Sequence, residues 1–381
     1  MFDVVLVGGG LVGCAFALDL AQQRSDFKIL IIEKKPYKQL VTDEFDSRIY
    51  AISPQNLDYL ARLFVYPDKE RIGIIEQMKI YGDKHSKLVL DSKQNRELYL
   101  SKTIEYKNLQ NKLYEELAKL DNVEFKYDEI IDIENVFDNI VIHTNNGVIQ
   151  TSLIIGADGA NSMVRSKFGI QANLYDYGYS GVVANFTTEL VHNNTAYQWF
   201  KNGSVLAFLP LSNNKISIVW STDKYQELLN LNSEDFEQHV ASFGDYKLGK
   251  LKLISKPVAF PLRLYTLNKV YAKRVVLIGD AAHTIHPLAG QGVNLGFGDA
   301  RLLASILSKM SKSQFGEPSL FHRYNAQRIV KVRQMQLTCH YLHLFFKSKY
   351  ITLSLLRNTG LNLVNNIPLI KKYLINKAIS Y

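Results

Sequence analysis

Residues 2–13 read FDVVLVGGGLVG, residues 14–23 continue CAFALDLAQQ, and residues 28–33 read KILIIE. Phe2 to Val7 is a short apolar run with the texture of a buried strand. Three consecutive glycines follow, then helix-compatible sequence, then a second apolar run that ends at Glu33. Gly8 permits a tight turn, Gly10 lets a pyrophosphate approach the backbone, and Gly13 lets helix and strand pack closely. Glu33 stands where an acid accepts from ribose hydroxyls and repels a phosphorylated ribose, so the unit favours FAD or NAD over NADP. A glycine-rich strand-to-helix turn with no ligand is the plainer explanation. The second strand and its terminal acid weigh against it.

A second glycine-rich block lies near the other end of the chain. Residues 279–300 read GDAAHTIHPLAGQGVNLGFGDA and follow Arg274 to Ile278, RVVLI, an expected strand. Gly279 and Asp280 place a carboxylate at a strand end, where it can meet a sugar hydroxyl. The turn through Gly290, Gln291 and Gly292 opens an expected helix beginning near Gln291, whose free N–H groups and positive dipole end suit an anion. Between these blocks, Gly156-Ala157-Asp158-Gly159-Ala160 ends another expected strand, with Asn161, Ser162 and Arg165 behind it. Asn161 or Ser162 as a helix N-cap explains part of that motif. Three Gly/Asp-rich strand ends exceed what turns alone need.

The 381 residues suggest two domains, and no stretch approaches the roughly 18 apolar residues of a membrane span. The apolar N-terminus lacks a basic lead and is interrupted by glycines, so it does not read as a signal peptide. Cys14 and Cys339 cannot make a disulfide framework and suit a reducing compartment. His283 and His286 have no further ligand nearby in sequence, so no metal is expected. The net charge of +9 is uneven: after Glu317 there are ten Lys and Arg and no acid. That tail is also rich in Leu, Ile, Tyr and Phe, which points to contact with an anionic membrane surface. A solvated helical face is the plainer reading, and no aromatic-and-basic module supports nucleic acid.

Helical spacing marks Glu105 to Leu120, and strands are expected over Val123–Tyr127, Ile140–Thr144 and Val148–Ile155. From Gly178 to Phe260 the texture becomes that of short antiparallel strands separated by Asn- and Gly-containing turns. Everything after Ala300 reads helical, with breaks expected at Gly360 and Pro368. The expected division is 1–75, 98–177 and 268–340 for a dinucleotide domain, 76–97 and 178–267 for a substrate-binding sheet domain, and 341–381 for a basic helical region.

With these motifs in view, the chain resembles the class A flavin-dependent aromatic hydroxylases, and within them the ubiquinone-biosynthesis branch. The likeness runs nearly end to end. It is carried by the N-terminal glycines and Glu33, Asp46-Ser47-Arg48, Asn108-Leu109-Gln110, GADGANSMVR, Phe208-Leu209-Pro210-Leu211, and the 279–300 block with its His286-Pro287-Leu288-Ala289-Gly290 core. Arg357, Gly360-Leu361, Pro368 and Lys371 extend it into the tail. The resemblance implies an α/β fold like that of para-hydroxybenzoate hydroxylase: a Rossmann-like FAD-binding domain, an inserted antiparallel β-sheet and a C-terminal helical region. It implies FAD contacts from Gly8, Gly10, Leu11, Val12, Gly13, Glu33, Lys34, Arg48, Gln110, Gly279 and Asp280. Asp158 and Gly159 are implied for both FAD and nicotinamide, and Pro287, Gly290, Gln291, Gly292, Val293 and Asn294 for the flavin ring. Pro287 is implied beside the place where oxygen reacts, and His283 and His286 are candidate phenol bases.

The implied reaction is ring hydroxylation of a polyprenyl phenol with NAD(P)H and O2, through a flavin C4a-hydroperoxide and without a metal. Leu209, Pro210 and Leu211 fit an apolar pocket wall. A membrane-held substrate and the basic apolar tail suggest a cytoplasmic protein at the inner face of the membrane, and the abundance of Lys, Asn, Ile and Tyr suggests a bacterial source; an oligomer or a ubiquinone-biosynthesis complex is admitted. Three other readings stay open: a hydroxylase of a small phenolic acid, a prenyl reductase or halogenase, and a non-catalytic scaffold holding FAD or prenyl lipid. The first usually needs an internal arginine or tyrosine clamp, and the absence of arginine between Arg165 and Arg263 weighs mildly against it. Trp199 and Trp220 are isolated, which removes the halogenase Trp-x-Trp signature.

Overall fold

The computed structural model describes residues 1–37, 45–82, 86–285, 292–347 and 351–379. His286, Pro287, Gly290 and Gln291 lie outside the described residues.

One eight-stranded sheet carries the parallel strands Phe2–Val7, Ile29–Glu33, Val123–Tyr127, Gly147–Gly156 and Val275–Leu277. Val4 to Leu6, Ile29 to Ile32, Leu153 to Ile155 and Val275 to Ile278 are all buried. Such unbroken apolar strands mark a sheet covered on both faces. Helix Leu11–Gln23 covers one side through Cys14, Phe16, Leu18 and Leu20. Helix Gly292–Leu307 packs on it closely because Gly296 leaves room for Val12: a Cβ there would meet a Val12 methyl at 2.4 Å.

Register then fixes the site. Val7 pairs with both Ile32 and Gly156, and Gly156 pairs with Leu277. The turns at Gly8, Gly156–Gly159 and Gly279 therefore emerge side by side at the carboxyl edge, where ligands of open α/β sheets bind.

The second sheet orders Leu251–Leu253, Ala172–Thr188, Lys215–Thr222, Ser204–Pro210, Thr195–Lys201, Gln77–Tyr81 and Lys87–Asp91, with Val258–Leu267 also paired to Ala172–Thr188. Its two faces follow the strand period of two. Ala184, Phe186, Trp199, Phe208, Ile218 and Trp220 form a dry core with helix Ser233–Phe243. The alternate residues Val183, Gln198, Phe200, Ala207, Leu209, Ser217 and Val219 face a large cavity. Asn202 and Gly203, with φ of 52° and 77°, close a two-residue hairpin between Lys201 and Ser204, the left-handed pair a tight β-hairpin needs.

Three helices finish the chain: Pro318–Lys347, Ile351–Asn366 and Pro368–Ile379. The break expected at Gly360 does not occur, since Gly360 lies inside helix Ile351–Asn366. An isolated glycine costs only about 1 kcal/mol against alanine in a helix, and the break falls at Ile367, where Pro368 disfavours the helical conformation of the residue before it. Asn358, Asn362 and Asn365, spaced for one helix face, dock this helix on the edge strand Lys87–Asp91. Asn362 and Asn365 accept from the Lys87 and Val89 amides at 3.3 and 3.0 Å, and the Ser86 hydroxyl donates to Asn358 at 2.6 Å. The exposed edge of the sheet is thereby covered.

Candidate active site

A cavity of about 1550 Å³ runs from the glycine turns, along the second sheet, to the C-terminal helices. That exceeds the 300–1,000 Å³ typical of a single ligand pocket. Among its described lining residues the charged ones are Arg48, Arg263 and Asp280.

At the cofactor end, Gly10 caps helix Leu11–Gln23 without any side-chain hydrogen bond. The first-turn amides of Leu11, Val12 and Gly13 thus border the cavity with no acidic residue beside them. A Cβ placed on Gly10, Gly159 or Gly292 meets nothing within 4 Å, so all three leave open cavity where a ligand would lie against bare backbone. Gly8 and Gly13 differ: a Cβ there would lie 2.4 Å from the carbonyls of Ala157 and Gly8, respectively. Helix Gly292–Leu307 also starts at the cavity with no acid in its first turn. Two positive helix ends and this open backbone fit an anionic dinucleotide.

Glu33 sits behind the first turn, where the Gly9 amide donates to its Oε2 at 2.7 Å and the Lys34 amide to its Oε1 at 2.9 Å. Gln110 and Tyr114 donate to the Gly9 carbonyl at 3.4 and 3.2 Å. Neither Glu33 nor Gln110 lines the cavity; they shape the loop that does. Lys34 is on the surface, paired with Glu129 at 2.6 Å. Arg48 lines the cavity with its guanidinium stacked 3.9 Å from the Tyr106 ring centroid.

Asp158 accepts from the Ser162 hydroxyl at 2.6 Å and the Met163 amide at 2.7 Å. Its carboxylate is thus bound to the start of helix Met163–Lys167, whose N-cap is Ser162. The adjoining Gly159, with φ of 80°, is what borders the cavity. Arg165 is buried and ties this turn to the Asp280 turn, donating to the Ala160 and Ala281 carbonyls at 2.7 and 3.1 Å. Asp280 faces the cavity from a short 3-10 turn with its side chain open to that space, and the desolvating protein atoms around it raise its carboxyl above its ordinary value.

The geometry does not place His283 as a phenol base. Its ring is buried away from the large cavity, and its Nε2 lies 2.6 Å from Asp299. Asp299 also accepts from Arg328 at 2.5 Å and from the Gly279 amide at 2.9 Å. Burial alone would raise the Asp299 carboxyl, but the charges of His283 and Arg328 hold it below its ordinary value. This buried group fixes the Gly279 turn onto helix Gly292–Leu307. Arg328, counted in the sequence with the basic tail, belongs inside it; the run of positive charge around it hides that role.

Asn294 is likewise spent on structure. Its Oδ1 accepts from the Ser53 amide at 3.0 Å and its Nδ2 donates to Ala51 at 2.8 Å, while Gly292 and Val293 line the cavity. Of the expected apolar wall, Leu209 lines the cavity; Pro210 and Leu211 do not. Met335, Cys339, Phe346, Leu361, Val364 and Ile375 complete the cavity from the tail, a role that no motif in the sequence marks. No group of His, Cys, Asp and Glu suited to a metal occurs among the described residues.

A family model described as FAD binding domain matches residues 129–337. The 3-demethoxyubiquinol 3-hydroxylase of Escherichia coli (strain K12) is 30% identical over 388 residues, covering 99% of this chain and 98% of the relative. The mitochondrial ubiquinone biosynthesis monooxygenase COQ6 of Homo sapiens is also 30% identical, over 427 residues covering 98% and 91%. Among solved structures, p-nitrophenol 4-monooxygenase PnpA from Pseudomonas putida DLL-E4 superposes with a TM-score of 0.80 at 17% identity, over 99% of this chain and 97% of that one. The family match and the 30% identical relatives together define an FAD-dependent monooxygenase, a class for which NAD(P)H is the usual reductant. The chain belongs to the FAD binding domain family, within the class A aromatic hydroxylases of the ubiquinone branch. Bound FAD supplies the redox chemistry with NAD(P)H and O2.

Proposed function

We propose that this protein hydroxylates the aromatic ring of a polyprenyl phenol in ubiquinone biosynthesis. The observation that carries the reading is the continuity of the cavity. A polar end at Gly10, Arg48 and Asp280 opens into an arm lined by Ile75, Met78, Ile80, Leu88 and Leu90. A phenolic ring at the junction would have cofactor on one side and hydrocarbon on the other, apolar surroundings that disfavour water beside the reacting atoms. The named activities of the relatives support the same substrate class. Roles follow for the chain's own residues: the amides of Leu11 to Gly13 hold the pyrophosphate, Arg48 and Asp280 orient the cofactor, and Leu209 and Phe200 keep the ring region dry.

A small phenolic acid fits less well, because Arg263, a cavity-lining arginine that could clamp a carboxylate, already has its guanidinium 3.3 Å from Asp176. Anaerobic mixing of the FAD-loaded protein with NADH and NADPH, with and without a singly prenylated phenol, tests the reading. Flavin reduction accelerated by the prenylphenol is expected. Reduction accelerated instead by a small phenolic acid would overturn the substrate class.

The tail supplies a surface for the membrane that holds such substrates. Leu369 is 80% exposed, and Leu363 and Tyr373 stand out beside Lys371 and Lys372. Apolar side chains among lysines suit an anionic lipid surface. Among the described residues no helix is long and apolar enough to cross a membrane. The double variant Lys371→Glu, Lys372→Glu is expected to lose co-sedimentation with phosphatidylglycerol vesicles at low salt. Equal sedimentation of variant and wild type would remove this surface from the account.

A further inference from the structure

Gly360 needs an explanation that helix geometry does not give. It lies within helix Ile351–Asn366, far from either cap, where glycine is unfavourable. Its φ is not in the left-handed range, so the backbone does not require glycine. Nor does packing, since a Cβ at Gly360 meets nothing within 4 Å. The residue borders the large cavity, and its neighbours Leu361 and Val364 pack with Ile75, Leu88, Leu90 and Ile375 around the apolar arm. A side chain at 360 would therefore extend into the arm from its helical wall.

The arm also has an outlet. Leu363 and Tyr373 line the cavity, yet each is 58% exposed. A side chain that borders both an internal space and solvent stands at a mouth. No charged residue lines the route from Ile75 to this mouth among the described residues.

We propose that the arm between the second sheet and helices Ile351–Asn366 and Pro368–Ile379 seats an extended isoprenoid chain, and that Gly360 sets the clearance for it. The ring lies at the cofactor end, the chain passes Gly360, and its far end leaves between Leu363 and Tyr373. Gly360 is then a specificity residue for chain length, acting on bound substrate and not on helix stability. This inference rests on the prenylated-phenol reading above.

The test compares the FAD-loaded wild type with Gly360→Leu, Gly360→Ala and Asn366→Leu, the last placing the same leucine at an exposed position outside the cavity lining. Dissociation constants and kcat/KM are measured for phenols carrying one prenyl unit and several, in detergent, with melting temperature and flavin content alongside. Gly360→Leu is expected to lower the preference for the long chain about tenfold or more, the scale of a methylene-sized misfit in an apolar pocket. Gly360→Ala should weaken long-chain binding less while raising the melting temperature, a split that a merely structural glycine would not show. Asn366→Leu should keep the wild-type preference. A long-chain preference unchanged in both Gly360 variants, or lost equally in Asn366→Leu, would overturn the proposal while leaving the phenol reading intact. Failure of wild type to bind either phenol would overturn the substrate reading, and the chain site with it.

Discussion

Gly8 and Gly10 are two residues apart and do opposite jobs. Gly8 has a φ of 104°, and a Cβ on it would lie 2.4 Å from the Ala157 carbonyl. Gly10 has an ordinary φ of −75° and open space above it. Gly8→Ala should therefore cost folding stability, about 1–3 kcal/mol for a strained left-handed position with a backbone clash. Gly10→Ala should leave the apoprotein's melting temperature near wild type but weaken FAD about tenfold or more, equivalent to about 1.4 kcal/mol or more of lost contact. Thermal melts of the apoproteins, paired with flavin-fluorescence titrations, separate the two; similar effects of both substitutions would contradict this division of labour. The same contrast runs through the other motif residues. The glycines of the three strand ends are legible because such turns need either a positive φ, as at Gly8, or bare backbone facing a ligand, as at Gly10. Asp158, Asn294 and His283 were legible as members of motifs but not in their roles. One residue type serves equally to hold a ligand or to hold a turn, and only the partners decide: Met163 for Asp158, Ser53 for Asn294, Asp299 for His283.

Among the elements, helix Pro318–Lys347 is held to the second sheet by an aromatic contact that titrates. The His343 ring packs edge-on against Tyr177 and Tyr179, with centroids 4.7 and 5.0 Å away. Burial, helped by the nearby charges of Lys347 and His340, lowers its pKa to about 4. An unfolded histidine titrates near about 6.5. As pH falls below that value the unfolded chain takes up a proton that the packed ring refuses, so stability declines until about pH 4. The urea midpoint should therefore drop between pH 7 and pH 5, and drop less in His343→Phe; equal drops would assign the dependence elsewhere. Elements with a strong local pattern were readable in advance, as with the alternation that sends Trp199 to the core and Phe200 to the cavity. Gly360 reads as a break in the sequence because a glycine in a helical pattern carries the same local signal whether it ends a helix or spares space beside it. Only the third dimension, with the cavity on one side and the asparagine face of the helix on the other, tells these apart.

At the scale of the whole molecule, distant segments are brought to one space. Residues near 10, 160 and 280 converge through the register of a parallel sheet, and residues near 80, 200 and 360 close the far end of the same cavity. The first convergence could be read from sequence, since the strand–turn–helix pattern carries its own topology. The second could not. The edge strand Lys87–Asp91 and helix Ile351–Asn366 meet through asparagine side chains that carry no motif. The proposed chemistry is that FAD bound in this cavity hydroxylates the ring of a prenylated phenol. The measurement that tests it most directly is turnover of the FAD-loaded protein with NAD(P)H, a singly prenylated phenol and 18O2, followed by mass spectrometry of the product. Incorporation of one 18O atom on the ring is predicted. NAD(P)H oxidation with no oxygen in the phenol, or no retention of flavin after reconstitution, would contradict it.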